Sequence, residues 1–262
     1  TLSTSARLDH HSRYGTILSP RLALLWKPGG SGSPWRVRTS FGTGYFAPTP
    51  LTEETESTGL ARIQPLTQLR AERAQGVSMD VNRLWTLERG TIETNLTVFE
   101  SSVTNAVNLI QTSALPPRFT FVNDPAPTHN FGTELLVRWR SGPISLIAAH
   151  GYVNSTEFPA DATRRQAVPL NPRHTGTFTM TWEAPSVGRI GLESFYVGHQ
   201  SLVGSDTVSP YLTMSPSYVV FGASVQREFG RVTAFLNFEN FTDRRLTRYQ
   251  PLLLPQQAPN GS

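Results

Sequence analysis

The chain has 262 residues, 38% of them hydrophobic and 16% charged, with a formal charge of +4. No apolar run approaches the roughly 18 residues of a membrane helix, which excludes helical spans, and the scattered arginines form no basic run suited to nucleic acid. Cysteine is absent, which excludes disulfides, thiolate metal sites and a cysteine nucleophile.

Charged residues fall below the roughly 25% usual in soluble domains. Thr, Ser, Asn, Gln and Gly take their place. This composition suits strands with one apolar and one uncharged polar face, as in a membrane barrel, where only alternate residues meet lipid. The opening residues, Thr1 to Asp9, lack the apolar stretch of a signal peptide.

In chain order, strands are expected near residues 2–10, 19–27, 35–44, 76–86, 91–103, 131–140, 143–154, 174–184, 189–199, 217–228 and 231–241. The pattern is clear in Trp35-Arg36-Val37-Arg38-Thr39-Ser40-Phe41, where odd positions are mostly apolar. It recurs in Ile92 to Val98 and in Thr133 to Trp139, with Leu136 as the exception. Phe178, Met180 and Trp182 alternate with threonines, and Ile190, Leu192 and Tyr196 repeat the period. A period of two means a strand with unlike faces. These about eleven strands are roughly 8–13 residues long, beyond the usual soluble strand and near the roughly 9–11 of a tilted membrane strand.

Connections alternate in length. Short ones run from Pro28 to Pro34, Leu87 to Gly90, Ser141-Gly142, Pro185 to Gly188 and Phe229-Gly230. Long ones run from Tyr45 to Gln75, Thr104 to Asn130, Ser155 to Arg173 and Gln200 to Pro216. Outer-membrane barrels sort their connections this way, with short turns in the periplasm and long loops outside. Trp26, Trp35, Trp85, Trp139 and Trp182 all sit on the apolar parity within a few residues of a short turn. They read as a girdle at the periplasmic membrane interface.

No enzyme constellation survives. Gly42-Thr43-Gly44-Tyr45-Phe46-Ala47 superficially fits a dinucleotide-binding turn, but Pro48 and Pro50 follow where a helix is needed. Its glycines are better read as letting a strand end bend and the wall pack closely against something inside. His10, His11, His129, His150, His174 and His199 show no metal-site spacing. Gly29 to Ser33 reads as a flexible turn, not a nucleophile elbow. No cofactor or catalytic residue is expected.

Arg36, Arg38, Glu93, Asn95, Glu134, Arg138, Glu193 and Asn237 fall on the polar parity and are expected to face a wet lumen. Substrate contacts are expected on the long-loop side, from Tyr45, Arg70, Glu72, Arg164, Arg165 and Tyr211.

Three stretches resemble the barrel of TonB-dependent receptors. Ser19-Pro20-Arg21-Leu22, followed by Phe41-Gly42-Thr43-Gly44-Tyr45-Phe46-Ala47-Pro48-Thr49, looks like the family's paired "S-P-R-L" and "G-T-G-F-R-A-P-T" strands. Phe46 stands where the family often has Arg, so a ligand role of that Arg is not inherited. Leu69-Arg70-Ala71-Glu72 is similar to the family's "L-K-P-E". Asn130-Phe131-Gly132-Thr133-Glu134 resembles "N-x-G-x-E", and Asn237 to Arg244, with Asn240 and Asp243, resembles the late "E-N-L-F-D".

The resemblance implies an all-β, antiparallel transmembrane barrel of about 22 strands in the bacterial outer membrane, with a plug inside and a segment that pairs with TonB. This chain would supply one incomplete barrel domain over residues 1–262, without the plug or the last strand. Expected partners are outer-membrane lipid, the plug and remaining strands, TonB, and a small nutrient such as a ferric siderophore or cobalamin, with no nucleic acid. The alternatives are a soluble β-rich binding module, for glycans or surface interaction, and a porin or adhesin barrel that does not use TonB.

Overall fold

A computed structural model describes residues 1–49, 60–66, 68–160, 162–185, 187–202 and 214–245. The strands are β1 (Leu2–His11), β2 (Gly15–Trp26), β3 (Trp35–Phe46), β4 (Glu72–Leu87), β5 (Gly90–Thr104), β6 (Val107–Ala114), β7 (Pro117–Asn123), β8 (Thr128–Ser141), β9 (Ile144–Glu157), β10 (Gln166–Ala167), β11 (His174–Ala184), β12 (Gly188–Val197), β13 (Tyr218–Phe229) and β14 (Val232–Phe238). The main sheet runs β1-β2-β3-β4-β5-β8-β9-β11-β12-β13-β14, with β10 on β9, while β6 and β7 pair with each other in a separate sheet, where Phe119 of β7 also bridges Ile63. All eleven expected long strands are present.

Two differences stand out. The connection expected as a loop from Thr104 to Asn130 holds the β6–β7 hairpin. The β1–β2 connection is a turn of Ser12, Arg13 and Tyr14 at the same strand ends as the long loops, so short and long connections do not alternate there. Pro20 in the middle of β2 hides the early strand start, because proline lacks an N–H and argues for a strand end. The structure accommodates it opposite Ala6 on β1, at the level where β2 and β3 stop pairing.

The chain divides into two compact units. In the first, register fixes the faces. Leu22 opposes Phe41, Leu24 opposes Thr39, and Trp26 opposes Val37. On the same face Phe41 meets Val77, Thr39 meets Met79 and Val37 meets Val81. The other face carries Arg36 opposite Asn82, Arg38 opposite Asp80, and Ser40 opposite Ser78. There Asn82 Nδ2 donates to Glu93 at 3.0 Å and Thr97 Oγ1 to Asp80 at 2.8 Å. In the second unit Phe178 faces Ser194, Met180 faces Leu192 and Trp182 faces Ile190, with Leu192 opposite Ala223 and Ile190 opposite Val225. Its polar face sets Thr179 opposite Glu193 and Glu193 opposite Gly222.

The apolar faces are not covered. Among the described residues the only buried hydrophobic side chains are Ile17, Leu69, Ala71, Phe121 and Leu202. Trp35 is 37% exposed, Leu135 44% and Met79 45%, among many large apolar residues open on the strands. Soluble monomers rarely expose contiguous apolar patches beyond about 300–600 Å². A face of this kind is stable against hydrocarbon, where alternate outward residues are apolar.

Candidate functional site

The loop-side end of the first unit gathers most of the expected binding residues. The β6–β7 hairpin is fastened to the start of β4 by asparagine side chains. Asn123 accepts the Arg70 N–H at 2.8 Å and donates to the carbonyls of Arg70 at 3.1 Å and Asn105 at 2.7 Å. Asn105, in the left-handed region, donates to the Ala71 carbonyl at 3.3 Å. An amide side chain thus imitates one rung of a β-ladder. Leu69 and Ala71, on either side of Arg70, are buried, while Arg70 is exposed.

Glu72 is spent on the same joint, its Oε1 accepting the Val107 N–H at 2.8 Å. Asn108 donates to both Asp124 oxygens at 2.8 Å. Glu72 and Glu157 lie at the loop ends of β4 and β9, beyond the roughly 9–11 residues from the short turns that a tilted span uses. Burial pushes the Glu72 carboxyl above its usual range; the Val107 bond pulls it back, and the Asp124 charge adds to the rise. Burial and then Asp124 raise Glu157, against a bond from Gln166.

Arg165 reaches Thr156, donating to its carbonyl at 3.2 Å and its Oγ1 at 3.3 Å, and to the Pro127 carbonyl at 2.8 Å. These bonds tie the chain after β9 to the start of β8. Its neighbour Arg164 is exposed. Tyr211 lies outside the described residues.

Tyr45 borders a different feature. β2 and β3 pair from Trp26 and Val37 up to Arg21 and Gly42, and part above that. A cleft of about 370 Å³ opens at the parting, lined in part by Arg7, Ser19, Arg21, Gly44 and Tyr45. Arg7 is ion-paired to Asp9 at 2.6 Å. Two guanidiniums beside hydroxyls favour an anionic or oxygen-rich guest. Tyr45 is an expected contact residue, Arg21 is visible in the sequence only as part of the Ser19-Pro20-Arg21-Leu22 motif, and Arg7 carries no signal beyond a polar parity shared with many neighbours.

The motif residues serve the wall. Gly42 opposes Gly76 across β3 and β4, and Gly44 opposes Ala74 with open space where a Cβ would stand. Pro48 is half-buried beyond β3. At Gly132 a Cβ would collide with the Phe99 ring and meet the Tyr152 carbonyl at 2.7 Å, so only glycine leaves room for that ring against the strand. Glu134, two residues on, is exposed. Asn240 and Asp243 both take left-handed backbone after β14. Asn240 closes the turn by accepting the Arg244 N–H at 2.9 Å, and Asp243 pairs with Arg245 at 2.6 Å. Trp26 and Trp35 flank the β2–β3 turn and Trp85 precedes the β4–β5 turn, all three exposed, whereas Trp139 and Trp182 are half-buried beside their own turns.

Long antiparallel strands with one open apolar face and one hydrogen-bonded polar face define the wall of an outer-membrane-type β-barrel. The family model for the β-barrel of TonB-dependent receptor-like proteins matches residues 1–241, and the chain belongs to that family. Among solved structures it is similar to the FrpB iron transporter (F3-3 variant) of Neisseria meningitidis, with a TM-score of 0.69 at 16% identity, covering 93% of this chain and 38% of that one. It is similar to the siderophore receptor PirA of Pseudomonas aeruginosa, with a TM-score of 0.66 at 17% identity and coverage of 94% and 40%. The copper transporter OprC gives a TM-score of 0.67 at 14% identity, with coverage of 87% and 35%. The chain therefore spans about two fifths or less of these structures. Compared with curated protein sequences it finds no match.

Proposed function

We propose that this chain forms part of the wall of a bacterial outer-membrane receptor that binds and imports a scarce, bulky nutrient, such as a ferric siderophore or cobalamin, with energy supplied through TonB. The observation that carries the reading is the open apolar face, which needs hydrocarbon as its solvent. Among the described residues the end strands β1 and β14 each pair on one side only. A ladder edge in lipid costs several kcal/mol for each unsatisfied group, so further strands complete the wall; a plug then occupies the lumen that its polar face lines. Arg70, Arg164 and the Arg7–Arg21 cleft supply cationic contacts for the nutrient. The work is binding and passage, with no covalent step.

The test is uptake. Cells carrying or lacking the receptor are given radiolabelled iron on a panel of siderophores, or labelled cobalamin, with and without TonB. The expected result is recovery of the protein in the outer-membrane fraction and TonB-dependent accumulation of one nutrient class. Recovery as a soluble monomer without detergent would establish the β-rich binding module instead. Uptake that ignores TonB would favour a porin.

A further inference from the structure

Arg83 lies on the apolar face, directly opposite Trp35 and two residues before Trp85. Its guanidinium carbon sits 3.4 Å from the centre of the Trp85 ring and 4.5 Å from that of Trp35. The Trp85 indole is held by a 3.4 Å bond from Nε1 to Thr94 Oγ1. The Arg83 Nε is buried without a hydrogen-bond partner. Among the described residues no carboxylate pairs with Arg83. The acids of this region, Asp80 and Glu93, bond on the opposite face.

A cation on a lipid-facing strand is costly unless it lies near the membrane interface or something neutralises it. Two indoles offset part of that cost through their ring faces but carry no net charge. They also mark the depth, because tryptophan settles at the headgroup level. The planar guanidinium, clamped between rings, still presents its outer N–H groups as a fork that fits a phosphate bidentately. Lys27, exposed in the β2–β3 turn, adds positive charge at the same end of the strands.

We propose that Trp35, Arg83 and Trp85 form a binding site for the phosphodiester of an anionic glycerophospholipid in the periplasm-facing leaflet. The site rests on the receptor-wall reading given above. An anionic lipid is favoured over a zwitterionic one, whose own ammonium already offsets its phosphate.

The experiment uses the intact receptor, extracted from outer membranes and studied by native mass spectrometry with phosphatidylglycerol or phosphatidylcholine added to the detergent. Wild type is expected to retain phosphatidylglycerol at least fivefold more than phosphatidylcholine. Arg83→Gln should bring the two to parity. Arg83→Lys, which keeps the charge and loses the fork, should fall between them and covers the case in which the glutamine variant folds poorly. An unchanged anionic preference in both variants, or no preference in wild type, overturns the site while leaving the receptor wall intact. Failure of wild type to reach the outer membrane overturns both.

Discussion

Met79 and Ser78 are adjacent on β4 and point to opposite faces, so they test the assignment of outside and inside directly. Met79 stands six positions before Trp85. At roughly 3.3 Å per residue and a tilt of roughly 40°, it rises about 15 Å above the indole, near the middle of an apolar band roughly 25 Å tall. Arginine at that depth costs about 2–4 kcal/mol, equal to a loss of about 30-fold to 700-fold in the folded-to-unfolded ratio. Ser78 bonds Ser40 at 2.7 Å on the polar face. Ser78→Arg should therefore cost about 1 kcal/mol, the worth of one hydrogen bond. The assay is urea unfolding of the intact receptor in lipid vesicles, read by tryptophan fluorescence. Equal costs for Met79→Arg and Ser78→Arg, or a larger cost at Ser78, would refute the placement of the faces.

Gly132→Ala should destabilise the receptor by about 1–3 kcal/mol, the usual penalty of overpacking, and Phe99→Ala in the same chain should recover the part due to the ring; thermal unfolding of the single and double variants measures both. Asn123→Ala removes three hydrogen bonds at the hairpin joint and should loosen it by about 2–3 kcal/mol, seen as faster hydrogen exchange at Arg70 and along β6–β7 with the other strands unchanged. Glu72 has a raised folded-state value, so its contribution to stability is fully present below the ordinary carboxylate value of 4.5 and is lost as pH rises through the raised one. Exchange of the Val107 amide, corrected for its intrinsic rate, should show opening that increases over that window, and Glu72→Gln should flatten the dependence.

The wall was legible because its signal is local. Alternation in Trp35 to Phe41 or Phe178 to Trp182 fixes face and length with no knowledge of partners. What stayed hidden was non-local. The β6–β7 hairpin reads as loop because it is held by Asn123, 53 positions from Arg70, and asparagine more often announces a turn. β4 begins at Glu72, earlier than the alternation suggests, because its ladder with β3 runs on until Phe46 faces Glu72. Arg165 carried a visible charge, but its use in tying Thr156 to Pro127 depends on where β8 starts relative to β9. Arg83 went unnoticed because alternation ranks it as an exception on an apolar parity. Only the register with Trp35 shows what surrounds it.

Among the described residues the hairpin of β6 and β7 shares no ladder with the main sheet. It is a cassette clipped on at Asn105, Val107 and Asn123 and bridged from Phe119 to Ile63, and its distal turn, Leu115-Pro116, lies beyond the last hairpin pair of Ala114 and Pro117. Drift or exchange at that tip leaves the hydrogen-bonded frame unchanged. Sequence change can therefore collect at this tip without rebuilding the strands of the barrel wall.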